Sequence, residues 1–101
     1  QSTAGVPDAA FPLAFAAFGE RGAALLEPLS GVLAAGRTHR FRLRVPGALD
    51  VAVVSGREWT HLTPSGGEYA ADVPVTAAKV TVFAKYDATS SFTGLLRYKA
   101  R

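Results

Sequence analysis

Every second residue of "RFRLRV" (40–45) is apolar. Phe41, Leu43 and Val45 share one side of the extended chain, and Arg40, Arg42 and Arg44 share the other. That is the pattern of an antiparallel strand with one face on a core and one in water. The same period returns in "EYAADV" (68–73), where Tyr69, Ala71 and Val73 alternate with Glu68, Ala70 and Asp72. "DVAVVS" (50–55), "KVTVFAKY" (79–86) and "GLLRYKA" (94–100) supply β-branched and bulky residues suited to strands. "AALLE" (23–27) and "GVLAA" (31–35) fit two shorter strands ahead of Gly36. No stretch sustains a helical period.

Turn residues interrupt these segments about every 8 to 12 residues, which predicts about seven strands folded as an all-β, immunoglobulin-like antiparallel sandwich. Its 101 residues suffice for one domain, and a 49% hydrophobic content supplies its core. Residues 21–101 are assigned to the sandwich and 1–20 to a leader or linker. Within that leader, "FPLAFAAF" (11–18) is ambiguous. Phe11, Phe15 and Phe18 share a helical face, yet Pro12 and the shortness of the run favour an extended segment. Packing on this domain and insertion into a neighbour's sheet both remain open for it.

The chain contains no cysteine. No disulfide holds the sandwich together, and thiolate catalysis and cysteine-based zinc or iron–sulfur sites are excluded. The run 11–18 is far shorter than the roughly 20 residues of a membrane span. The start "QSTAGVPDAA" suits an exported chain after signal removal, so a secreted or periplasmic location is expected. A net charge of +3 permits weak attraction to polyanions. Nucleic acid is not an expected partner.

One hairpin can be read to the residue. Gly56-Arg57 fits the two-residue loop of a type II′ turn, which sets Ser55 against Glu58, Val54 against Trp59, Val53 against Thr60 and Ala52 against His61. Trp59 and His61 then share a face. If the valines of this hairpin point inward, that face lies outside, beside Phe83, Leu95 and Arg97 from the last two strands. A single bulge would instead turn Trp59 into the core. Both placements stay open. The arginines of 40–44 are expected to pair across the sheet with Glu68 and Asp72 rather than to form a polyanion site.

Catalytic constellations fail on spacing. His39 and His61 are the only histidines, no G-x-S-x-G elbow occurs, and nothing in the sequence draws Ser55, His61 and Asp72 together. Glu58, Glu68 and Asp72 read as solvated charges, metal-ligand patterns are missing, and "PSGG" (64–67) reads as a turn. No catalytic residue, cofactor or metal is expected.

The stretches "VAVVSGREWTHL" (51–62), "YAADVPV" (69–75), "VTVFAKY" (80–86) and "SSFTGLLRYKA" (90–100) resemble the immunoglobulin-like domain that accompanies transglutaminase-like domains in proteins of the kyphoscoliosis-peptidase type. The resemblance spans roughly residues 20 to 101 and rests on short β-rich motifs. It implies a sandwich that docks or spaces beside a catalytic domain. That catalytic domain uses a Cys, His and Asp set, so no catalytic residue carries over to a chain without cysteine.

The expectation is a non-catalytic interaction module that binds a protein partner or adjacent domain through Trp59, Phe83, Leu95 and Arg97. Two alternatives stand beside it. One is a carbohydrate-binding module using the same aromatics with His61 and Glu58, and the other a weak polyanion binder using the arginine stripe.

Overall fold

The alternating arginine strand organises one half of the molecule. In the computed structural model, which describes residues 6–101, it is β4 (Arg37–Arg44), with Phe41 and Leu43 fully buried beneath Arg40, Arg42 and Arg44. β2 (Ala24–Glu27) and β8 (Glu68–Val75) flank it, and β7 (Thr63–Ser65) completes a four-stranded sheet in the order β2-β4-β8-β7. The second sheet runs β1 (Leu13–Ala14), β10 (Thr93–Ala100), β9 (Lys79–Lys85), β5 (Asp50–Ser55), β6 (Glu58–His61). β3 (Val32–Leu33) joins β10 in parallel, farther along the margin that β1 also covers.

The protein is therefore an all-β sandwich of two sheets. In space, the order β2-β4-β8-β7 makes one sheet, and β6-β5-β9-β10 with β1 and β3 makes the other. Ten short or long strands replace the expected seven among the described residues. The additional ones are β6, the second arm of the hairpin at Gly56-Arg57, and β1 and β7, which span only two or three residues each, too few for periodicity to register.

Between the sheets, Phe41, Leu43, Val73 and Val75 meet Val51, Val53, Val80, Val82, Leu96 and Tyr98. The Tyr98 ring meets Phe41 edge-on at 5.2 Å and 77°, within the favoured geometry of aromatic pairs. Its hydroxyl donates to the Pro28 carbonyl at 2.8 Å. Burial raises the Tyr98 pKa above its ordinary value, because the core disfavours the phenolate.

Two turns fix the registers. Gly47 has φ +79°, and Ala48 N–H donates to Val45 O at 3.2 Å, closing a type II turn with Pro46 leading. Gly56 has φ +61° while Arg57 stays on the negative side, as type II′ requires. The hairpin pairs Ser55 with Glu58, Val54 with Trp59, Val53 with Thr60 and Ala52 with His61, the register read from the sequence.

Ser55 is buried inside this hairpin. Its Oγ accepts the backbone N–H groups of Thr76 at 2.9 Å and Ala77 at 3.1 Å, tying down the connection between β8 and β9. Ser55→Ala removes the acceptor of both donors at once. It is expected to cost about 1–3 kcal/mol, read as a lower urea midpoint at unchanged slope.

The leader departs from expectation. Residues 1–5 lie outside the described residues, but from residue 6 onward the chain is attached to the sandwich. Asp8 pairs with Lys99 at 3.1 Å and also with Arg101. Phe11 is buried, and β1 pairs with Leu96 and Arg97 of β10. The short helix α1 (Ala16–Glu20) follows, entered by Phe15, whose N–H donates to Leu95 O at 2.9 Å. The domain thus begins well before residue 21. Partners some 80 residues away hold this segment, and no local period encodes such contacts.

Candidate functional site

Strand register builds an aromatic cluster on the outer face of the six-stranded sheet. Directly paired residues share a face. One row across that face reads Gly94, Phe83, Ala52, His61, and the next reads Arg97, Thr81, Val54, Trp59. Ala52 is only a methyl group, so the side chains on either side close over it and it is fully buried although it faces outward. Trp59 stacks against Phe83 at 5.7 Å and 22°, and against His61 at 6.2 Å and 24°. Phe92 meets Trp59 edge-on at 5.2 Å. At the centre, Trp59 remains 49% exposed. Of its two possible placements, the outer one is found.

Phe92 arrives on the loop between β9 and β10, which one carboxylate organises. Asp87 Oδ1 accepts the Ser90 N–H at 2.8 Å, the Thr89 N–H at 3.0 Å and the Thr89 hydroxyl at 2.9 Å. Hydrogen bonds from Ser90 and Thr89 stabilise the charged form and lower the Asp87 pKa to about 2. A carboxyl depressed in the folded state contributes stability above its unfolded pKa of about 4, and that contribution is lost as pH falls toward the folded value. Trp59 fluorescence is therefore expected to change between about pH 4 and 2 as the Phe92 loop loosens. Asp87→Asn should flatten that step, and the acid titration of the two proteins checks it.

Charged groups border the rings. Lys85 Nζ lies 5.9 Å from the Phe92 ring centre. Arg97 Nε donates to Thr81 Oγ1 at 2.8 Å, and its guanidinium carbon lies 5.7 Å from the Phe15 ring. Phe15 is partly exposed and leans over Gly94, where an added Cβ would come within 3.2 Å of the ring. His61 Nδ1 lies 3.0 Å from Asp50 Oδ2, which fixes the plane of the imidazole.

Trp59, Phe83 and Arg97 thus share the outer face, as the register implied. Leu95 does not. The ladder between β9 and β10 shifts between Gly94 and Leu96, and this bulge turns Leu95 into the core beside Leu96, where it is fully buried. Leu95 is removed from the contact surface. Phe92 and Phe15 were missed. A large aromatic inside the polar turn "SSFTG" was the available signal for Phe92; Phe15 carried none.

The arginine stripe is a charge ladder. Arg40 pairs with Asp72 at 3.4 Å, Arg42 with Glu27 at 2.9 Å and Glu68 at 3.0 Å, and Arg44 with Glu68 at 3.7 Å. Glu27 and Glu68 hold the Arg42 pKa above its ordinary value. Ser55, His61 and Asp72 lie apart: Ser55 is buried in the hairpin, His61 is on one outer face and Asp72 on the other. Among the described residues no three of His, Asp and Glu converge as metal ligands, and no helix is long and apolar enough to cross a membrane. No family model matches the chain, and no curated protein matches it.

Proposed function

We propose that this chain is a non-catalytic, immunoglobulin-like interaction module that docks a protein partner through the outer face of its six-stranded sheet. The half-exposed Trp59 carries the reading. Tryptophan is a favoured anchor of protein interfaces because it buries a large apolar area with few rotatable bonds. Here the anchor is held before any partner arrives: Phe83, His61 and Phe92 fix the ring, and the Asp87 hydrogen bonds fix the loop bearing Phe92. A preorganised anchor loses little freedom on binding. A sugar-stacking face wants an open ring plane, whereas Trp59 has aromatic neighbours against it. A catalytic domain beside the module is one form the partner can take, as the resemblance to kyphoscoliosis-peptidase-type proteins implies.

Trp59→Ala tests the reading. Half of the side chain is already in water, so the loss of folding stability is expected to be about 1–2 kcal/mol, and the domain stays folded. A photo-crosslinker at Arg57, exposed on the turn two residues before Trp59, should capture a protein in the native extract, and Trp59→Ala should abolish that capture. Capture that persists in the folded variant, or reproducible Trp59-dependent binding on a glycan array instead, would displace the proposal.

A further inference from the structure

We infer that the partner of this face is an acidic protein segment, its carboxylates set around an apolar group that covers Trp59; the inference rests on the docking reading above. The argument is where the positive charge stands. The chain has 11 Lys and Arg against 8 Asp and Glu. On the four-stranded sheet, three arginines (40, 42, 44) meet three carboxylates (Glu27, Glu68, Asp72), so that face is balanced.

The aromatic face is not balanced. Lys79, Lys85 and Arg97 form no salt bridge among the described residues, although Asp50 stands directly opposite Lys85 in the β5–β9 ladder. Asp50, the acid that the described strands place on this face, turns its carboxylate to His61 at 3.0 Å. Lys79 and Lys99 stand directly opposite each other in the β9–β10 ladder, a placement of like charges that disfavours the sheet. Of these two lysines, Asp8 relieves only Lys99, which shares it with Arg101. These cations, four with Lys99 against the single strand acid Asp50, flank the rings on both sides. Lys85 sits over Phe92, and Arg97 lies in the row of Trp59, three strand spacings or roughly 14 Å away.

An apolar centre with a cationic border selects a partner with the reverse charge at its border. Single-stranded nucleic acid fits less well. It needs successive open ring faces for its bases, and here the rings are packed against one another.

The probe is a random glutamate–tyrosine copolymer, with a lysine–tyrosine copolymer, heparin and single-stranded DNA as comparisons, each titrated against Trp59 fluorescence. The glutamate copolymer is expected to bind, and to bind more weakly as salt rises. The double variant Lys85→Glu/Arg97→Glu should weaken it about tenfold or more. The control Arg40→Glu/Arg44→Glu makes the same charge change on the other sheet and should alter binding less than about twofold. If Arg97→Glu impairs folding, Lys85→Ala/Arg97→Gln replaces it, with a smaller loss expected in the same direction. Equal loss in both double variants, tighter Trp59-dependent binding of heparin or DNA, or equal binding of the lysine copolymer overturns the acidic assignment. Crosslinking that still depends on Trp59 while the glutamate copolymer fails to bind sinks this inference and leaves the docking reading standing. Crosslinking indifferent to Trp59 sinks both.

Discussion

Phe41→Ala is expected to lower the unfolding free energy by about 3–5 kcal/mol, the range for removing a fully buried phenylalanine. A domain of this kind has only about 5–15 kcal/mol in total, so the substitution removes a large share of its stability. Phe41 is fully buried at the centre of the arginine strand and receives the Tyr98 ring edge-on. Its loss empties the space between the sheets and frees Tyr98 to turn, which weakens the bond from the Tyr98 hydroxyl to the Pro28 carbonyl. Far-ultraviolet dichroism against urea reads the effect. In a double-mutant cycle with Tyr98→Ala, the pair should couple by about 0.5–1.5 kcal/mol. A variant within 1 kcal/mol of the parent, a threshold well below the range for such truncations, would mean that the two sheets do not meet at this ring.

Gly31→Ala should detach the N-terminal segment while the sandwich stays folded. A Cβ at this position would lie 1.9 Å from the Phe11 carbonyl carbon and 2.0 Å from its oxygen. These are backbone atoms, so no rotamer change relieves the clash. Nor can Gly31 withdraw freely, because its own carbonyl accepts the Lys99 N–H at 3.0 Å. The segment must give way. Phe11 leaves its buried site, at a cost of about 1.5–3 kcal/mol for a large apolar side chain, and the pairing of β1 with β10 is lost with it. The readout is protease sensitivity and amide exchange within residues 6–20, which should rise sharply while the protection of β5 and β9 persists. Unchanged protection of the segment would refute the close approach.

How far the sequence reveals this arrangement depends on whether the information is local. The β5–β6 register follows from a single glycine with φ +61° and from alternation on both sides of it, so the shared face of Trp59 and His61 could be read directly. The inward set Val80, Val82, Ala84 with Leu96, Tyr98 and Ala100 was legible for the same reason. Leu95 was not. Two adjacent leucines fit either phase of an alternating strand, and the bulge that buries both is chosen by packing across the sheets. The attachment of residues 6–20 escaped for another reason. Its contacts are a glycine at 31, cations at 99 and 101 and the margin of β10, none of which leaves a mark on the segment itself. Phe15 entered the aromatic face through that same attachment.

The tandem occupation of one margin of β10, by β1 antiparallel and β3 parallel, gives the six-stranded sheet a direction. Lateral extension is blunted on that flank, because the hydrogen-bonding positions of β10 are taken by the protein's own first third and the strands that cover them are two residues long. The opposite flank ends in β6, four residues long and carrying Trp59 and His61. Addition of a strand to this sheet is therefore steered to the β6 flank, beside the tryptophan.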